Sequence, residues 1–196
     1  MHFLKYPLFL LSFFLVTNRA EAYTYGPTLT VGNLCEFIGK IQTDDNGATN
    51  SCSFNPYFAT SLDIPITSSL IFSPELGLTL PKKGRDENIS KMSFFALANT
   101  KTKVEIVHFI AGAGFYFTRI SASGGNEELN NGNTTSSFPL PDGAVISRNF
   151  IVNAGLGVDF SKELSADVHT YVFNLLSSQE RAFSVLINGT YHFGEF

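Results

Sequence analysis

The chain has 196 residues, with 13 Lys and Arg against 17 Asp and Glu, a net charge of −4. That balance leaves no basic stripe to neutralise phosphates, which excludes a nucleic-acid partner. There are 20 Phe and 7 Tyr but no Trp, and many of these aromatics alternate with Ser, Thr, Asn, Asp and Gly, which is strand periodicity and not the helical period.

The first residues read as an export signal. Lys5 supplies a positive charge, Leu8 to Val16 is an apolar run, and Ala20-Glu21-Ala22 is a small-x-small cleavage pattern. The apolar run is shorter than the roughly 20 residues a spanning helix needs. Cleavage is expected after Ala22, so residues 1–22 are a signal peptide and residues 23–196 one domain. Losing Lys5, Arg19 and Glu21 leaves a mature charge of −5. No later apolar run is long enough for a spanning helix.

Eight alternating segments follow, separated by turn signals. The first covers about Thr28 to Lys40 and is the least regular. Phe54 to Ile64 sets Phe54, Phe58, Leu62 and Ile64 against Asn55, Tyr57, Ser61 and Asp63. Ser69 to Leu80 sets Leu70, Phe72, Leu76 and Leu78 against Ser73, Glu75, Gly77 and Thr79. Ser90 to Ala98 puts Met92, Phe94, Ala96 and Ala98 outward, which forces Phe95 and Leu97 inward. Val104 to Ile120 sets Val107, Phe109, Phe115 and Phe117 against His108, Gly112, Gly114 and Tyr116, with Ile110 breaking the pattern. Arg148 to Phe160 is the cleanest: Phe150, Val152, Leu156 and Val158 oppose Asn149, Asn153, Gly157 and Asp159. Leu164 to Leu175 sets Val168 and Val172 against Asp167, His169 and Tyr171. Ala182 to Phe193 sets Phe183, Val185, Ile187, Tyr191 and Phe193 against Ser184, Asn188, Thr190 and His192. Pro56 and Pro74 each remove a ladder donor and signal a bulge or strand end.

Connection lengths alternate. Pro65 to Ser68, about Asn99 to Lys103, and Ser161 to Glu163 are short. Ile41 to Ser53, Pro81 to Ile89, and Ser121 to Ser147 are long, and Ser177 to Arg181 is the one short member of that set. Tight turns on one side and larger loops on the other are the pattern of a membrane barrel. The predicted fold is all-β: an eight-stranded antiparallel up-and-down transmembrane β-barrel. Inward glycines suit the crowded lumen of a barrel this narrow. A soluble periplasmic, lipocalin-like barrel shares the period but inverts the faces.

Spread over nearly all of the mature chain, this pattern resembles the small outer-membrane barrels of the OmpA and OmpX type. The stretch Val185-Leu186-Ile187-Asn188-Gly189-Thr190-Tyr191-His192-Phe193 looks like the aromatic-ending strand read by the outer-membrane insertion machinery, with Gly194-Glu195-Phe196 following it. The resemblance implies the bacterial outer membrane, membrane lipid and lipopolysaccharide as partners, and a monomer. It implies no activity.

Cys35 and Cys52 flank Thr43-Asp44-Asp45-Asn46-Gly47, a strong turn signal. An even cysteine count in an exported chain suggests a disulfide stapling that loop, with two free buried thiols as the alternative. Asp63, Glu75, His108, Asp159, Asp167 and His169 are expected to face inward as a structural network, with Lys91 and Arg148 as partners. They could also suggest acid–base or metal chemistry, but none of the common metal or nucleophile motifs is present, so no catalytic, metal or cofactor residue is assigned. The predicted role is structural or surface interaction through Ile41 to Ser53 and the Gly- and Asn-rich Ser121 to Ser147, expected to be an exposed loop. A narrow pore and a lipid A-modifying enzyme are the alternatives.

Overall fold

The computed structural model describes residues 26–38, 54–83, 89–130, 135–178 and 181–194. Eight long strands close on themselves: β1 (Gly26–Ile38), β2 (Pro56–Pro65), β3 (Leu70–Thr79), β5 (Ser90–Val104), β6 (Val107–Ser123), β9 (Asp142–Asp159), β10 (Leu164–Phe173) and β11 (Ala182–His192). A two-residue strand, β4 (Lys82–Lys83), borders β5, and a hairpin of β7 (Asn126–Asn130) and β8 (Thr135–Pro139) stands apart. Each barrel strand pairs antiparallel with its chain neighbours. The first strand closes on the last, with Leu29 opposite Tyr191 and Cys35 opposite Val185. Closure matters because lipid offers backbone groups no hydrogen bonds.

Alternation sorts the side chains as the sequence predicts. Outward Leu29, Val31, Phe58, Leu76, Phe109, Phe150, Leu156, Val168 and Ile187 are exposed, whereas inward Thr28, Ser73, Asn99, His108, Asn153, Asp167, Ser184 and Thr190 are buried. A soluble barrel would have these faces reversed, and an apolar belt of this extent does not persist on a soluble monomer. Phe95, Leu97 and Ile110 do face inward and are buried.

Three short turns lie at the end that also carries Gly26 and Gly194. Ile66 and Thr67 both donate to the Leu70 carbonyl, at 2.8 and 3.0 Å. Ser161 Oγ accepts from the amides of Glu163 and Leu164, each at 3.1 Å. The third turn corrects the expected connection at Asn99 to Lys103. The strand instead runs on to Val104 and reverses over Glu105 and Ile106, with Glu105 at φ 57°. Its extension keeps Asn99 and Lys101 on the inward parity, where both meet acidic partners.

At the loop end, β6 and β9 outrun their neighbours, pairing as far as Ser123 with Asp142. The stretch expected to be an irregular loop at Ser121 to Ser147 is therefore largely strand, topped by the β7–β8 hairpin. Gly124 and Gly125, at φ 76° and 96°, let the chain leave β6. Pro74 sits inside β3 and not at its end. The β2–β3 ladder lapses beside it, between Ser61–Glu75 and Ile64–Phe72, while Pro74 still faces Ala98 of β5.

A Cβ at Gly77 would overlap the Phe95 ring. Gly77→Val should therefore destabilise the barrel by about 1–3 kcal/mol through overpacking. Urea unfolding in detergent, followed by the heat-modifiable gel shift, should show a lower midpoint; an unchanged midpoint would mean that Phe95 does not fill this space.

Candidate functional site

The lumen is layered. Toward the loop end it is aromatic. Phe95 is at the centre, edge-on to Tyr57 and Tyr171 at 5.9 and 5.6 Å and stacked with Tyr116 at 6.3 Å. Phe173 meets Tyr116 at 5.1 Å, and Leu34, Ile151 and Leu186 complete the layer, all of it buried. The phenols keep their polar ends satisfied: Tyr57 Oη accepts from Asn188 Nδ2 at 2.7 Å, and Tyr116 Oη donates to Glu36 Oε1 at 2.9 Å.

Below this layer the lumen is polar. Asn99 Nδ2 donates to Glu75 Oε2 at 2.7 Å, and Asn153 Nδ2 donates to Asn99 Oδ1 at 3.0 Å. Asn153 also lies 3.3 Å from His169 Nδ1. The remaining cavity here is about 20 Å³, around the room one water needs.

The turn end is charged. His108 is clamped between two carboxylates, its Nε2 2.6 Å from Asp167 Oδ1 and its Nδ1 3.1 Å from Asp159 Oδ1. Carboxylates only accept, so this geometry is fully satisfied when both ring nitrogens donate. Asp159 also pairs with Lys103, and Thr190 Oγ1 donates to Asp167 Oδ2 at 3.0 Å. Gly157 makes the clamp possible, because a Cβ there would overlap both His108 and Asp167. Asp63 accepts from Lys101 at 2.9 Å and from Ser73 at 2.6 Å. A cavity of about 210 Å³ opens among Asp63, Lys101, Lys103, His108, Asp159 and His192.

The six inward residues singled out in the sequence thus fall into three groups. His108, Asp159 and Asp167 touch one another; Glu75 and His169 end one hydrogen-bonded chain; Asp63 sits apart at the mouth. The expected partners are corrected. Lys91 pairs with Glu36, at 2.6 Å, and Arg148 faces outward over the Phe115 ring at 5.7 Å. The cations that serve the acids are Lys101 and Lys103, with the His108 ring between Asp159 and Asp167. The two lysines were hidden by the expected turn at Asn99 to Lys103; their inward parity becomes visible only when that strand is extended.

Sequence reasoning also missed Ser165. Its Oγ lies 3.1 Å from His192 Nε2, and His192 Nδ1 lies 3.7 Å from Asp63 Oδ2. The order Ser–His–Asp has the form of an activated nucleophile. Its geometry does not support that use: Ser165 is 2% exposed, and Asp63 is already held by Lys101 and Ser73. Cys35 is buried and its Sγ accepts from Asn33 Nδ2 at 3.6 Å; Cys52 lies outside the described residues.

Closed strands, an apolar outer belt and a polar, filled lumen define an eight-stranded transmembrane β-barrel of the bacterial outer-membrane type. A solved structure shares the fold, and others are similar to the chain. Ail, the attachment invasion locus protein of Yersinia pestis, is 11% identical; the match covers 87% of this chain and 98% of that one, with a TM-score of 0.50. Neisserial surface protein A is 11% identical over 88% of this chain and 98% of its own, with a TM-score of 0.48. The N-terminal barrel domain of Pseudomonas aeruginosa OprF is 11% identical over 86% and 97%, with a TM-score of 0.43. No family model and no curated protein matches the chain.

Removing His108 alone, as His108→Leu, leaves Asp167 buried without its ring partner and should cost about 3–5 kcal/mol. The double variant His108→Leu/Asp167→Leu should recover part of that loss. Unfolding midpoints of the two variants check this; simple additivity would show that the pair is not coupled.

Proposed function

We propose that the protein is a monomeric, non-enzymatic barrel of the bacterial outer membrane with a structural or surface-interaction role, working through its loop end and not its lumen. The observation that carries this reading is the filled interior. The aromatic layer around Phe95 closes the lumen across its width, and among the described residues every buried side-chain polar atom has a hydrogen-bond partner. A pore needs a continuous wet path and an enzyme needs a reachable reactive group. What projects instead is the β6–β9 ribbon with its β7–β8 hairpin, where residues 142–148 are exposed. In this orientation the short turns and both chain ends of the barrel face the periplasm and the ribbon faces outward. The inward charges serve as a structural network that fills the turn end. Membrane lipid and lipopolysaccharide surround the belt, and Tyr191 and Phe193, edge-on at 5.0 Å on the outward face, suit recognition by the insertion machinery.

Refolded protein in a planar bilayer should give no current above background, and lipid A from cells with and without the protein should give identical mass spectra. A stepwise conductance would replace this reading with the pore, and a new lipid A species would replace it with the enzyme. Protease added to intact cells should cut between Gly124 and Pro141.

Residues 1–22 are proposed as a cleaved signal and Cys35–Cys52 as a bridge, supported by the buried position of Cys35 beside the first long connection. Intact mass of protein from outer membranes should begin at Tyr23. Alkylation of the unfolded, unreduced protein should add nothing; two added groups would rule out the bridge.

A further inference from the structure

The lipid-facing side of the barrel is not uniform. Most of it carries Leu, Val, Ile and Phe, but Pro74, Ala96, Ala98 and Ala113 adjoin one another across β3, β5 and β6, since Pro74 pairs with Ala98, Ala98 with Ala113 and Ala96 with Phe115. The result is an apolar groove of about 840 Å³, walled by Leu62, Leu76, Phe115 and Phe150. It lies where Pro74 interrupts the β2–β3 ladder.

Directly toward the loop end from this groove stand cations. Arg148 lies over Phe115, which is itself a wall of the groove. Arg119 is one outward row further on, opposite Met92 and Ile146, and Lys83 beyond that is opposite Ser90. Successive outward rows are about 7 Å apart along a strand. All three side chains are exposed. Neither Arg119 nor Arg148 forms an ion pair among the described residues. Among the described strands, every outward Lys or Arg belongs to this cluster. The outward loop-end positions of β2, β10 and β11 carry Phe58, Val172 and Phe183 instead. Stacked Phe94 and Phe117, 4.6 Å apart, share the row of Arg148, between Arg119 and the groove, in the position of an interfacial aromatic girdle.

We infer that this face holds one phosphorylated, multiply acylated lipid of the outer leaflet, with its phosphates on Arg119 and Arg148 and an acyl chain in the Pro74–Ala98–Ala113 groove. The vertical order matches such a lipid: Arg119 at the head-group level, Arg148 beside the aromatics at the interface, a channel in the hydrocarbon. Guanidinium groups match phosphate in planar, bidentate geometry, and small side chains let a chain approach the sheet closely. A neutral lipid would leave the arginines unused. A soluble phosphate would leave the groove unused. The inference rests on the loop end facing outward.

Native mass spectrometry of the full mature chain, refolded in a neutral detergent, tests this with bis-phosphorylated lipid A, a neutral diacyl lipid and inorganic phosphate as separate probes. One lipid A should be retained, and neither the neutral lipid nor phosphate alone should be. Arg119→Gln/Arg148→Gln should weaken retention by about tenfold or more, the loss of one or two charge-assisted contacts. Ala98→Leu should weaken it through the groove, with Lys162→Gln as a turn-end control that leaves it unchanged. The arginine variants lie on the exposed surface and keep the test decisive should Ala98→Leu fail to show the folded gel mobility. Equal retention by wild type and the arginine double variant, or equal retention of the neutral lipid, overturns the inference. Protease accessibility of residues 124–141 on intact cells separates the two levels. Cleavage without lipid A retention sinks the lipid site alone, whereas protection from cleavage sinks the orientation and the lipid site together.

Discussion

Everything in this molecule follows from the requirement that no backbone donor or acceptor be left facing lipid. A sheet meets it only by closing, so β1 must find β11 and β3 must find β5. Closure with eight strands fixes a narrow lumen, and a narrow lumen has to be filled by whatever the inward parity supplies. The strand period of two then does the sorting: one substitution-tolerant face for hydrocarbon, one crowded face for the interior. Glycine appears where two inward side chains would otherwise collide. Gly77 yields its space to Phe95, and Gly157 yields its space to the contact between His108 and Asp167.

The lumen solves its packing problem in two chemistries. Toward the loop end it uses rings, which fill volume and seal the bore with few polar atoms to satisfy. Toward the turn end it uses charges, which are costly to bury unless each is paired. Here the pairing is mutual: His108 serves Asp159 and Asp167, Lys103 shares Asp159, and Lys101 and Ser73 share Asp63. Such a network commits its members to structural contacts. The Ser165–His192–Asp63 line illustrates the point, since each member already has structural work and the hydroxyl is shut away from solvent.

What the sequence made legible was what depends on parity alone. The strand at Arg148 to Phe160 alternates from Phe150 onward apart from inward Ile151, and its inward Asn153, Gly157 and Asp159 lie where alternation puts them. Less legible was whatever depends on strand length. Asn99-Thr100-Lys101-Thr102-Lys103 is polar throughout and reads as a turn, because inward and outward residues near a barrel mouth are both polar. A turn there hides Lys101 and Lys103 as partners of the inner acids, and the expectation of an inward Arg148 runs against its own parity with Phe150. The projecting ribbon was obscured for a similar reason: above the membrane both faces of a strand meet water, so β6 and β9 lose their alternation there while keeping their pairing to Ser123 and Asp142. The Ser165–His192 contact joins neighbouring strands 27 residues apart in the chain and needs the register, which no local pattern supplies.

The same loss of alternation explains why surface chemistry gathers on one side. Among the described residues β6 and β9 pair furthest past the rim, with β5 and β4 beside them up to Ser121, so this side carries outward cations at the head-group level while the lower strand halves stay in hydrocarbon. Arg148 and Arg119 sit on these two strands, and the small residues of the groove lie beneath on β5 and β6. Phe95 and its neighbours fill the lumen toward the loop end, while the turn end keeps a charged cavity. Residues 142–148 of the ribbon are exposed, and on the outer wall the flat belt gives way to a groove below Arg148 and Arg119. These outward positions are the ones that the folding constraint leaves open.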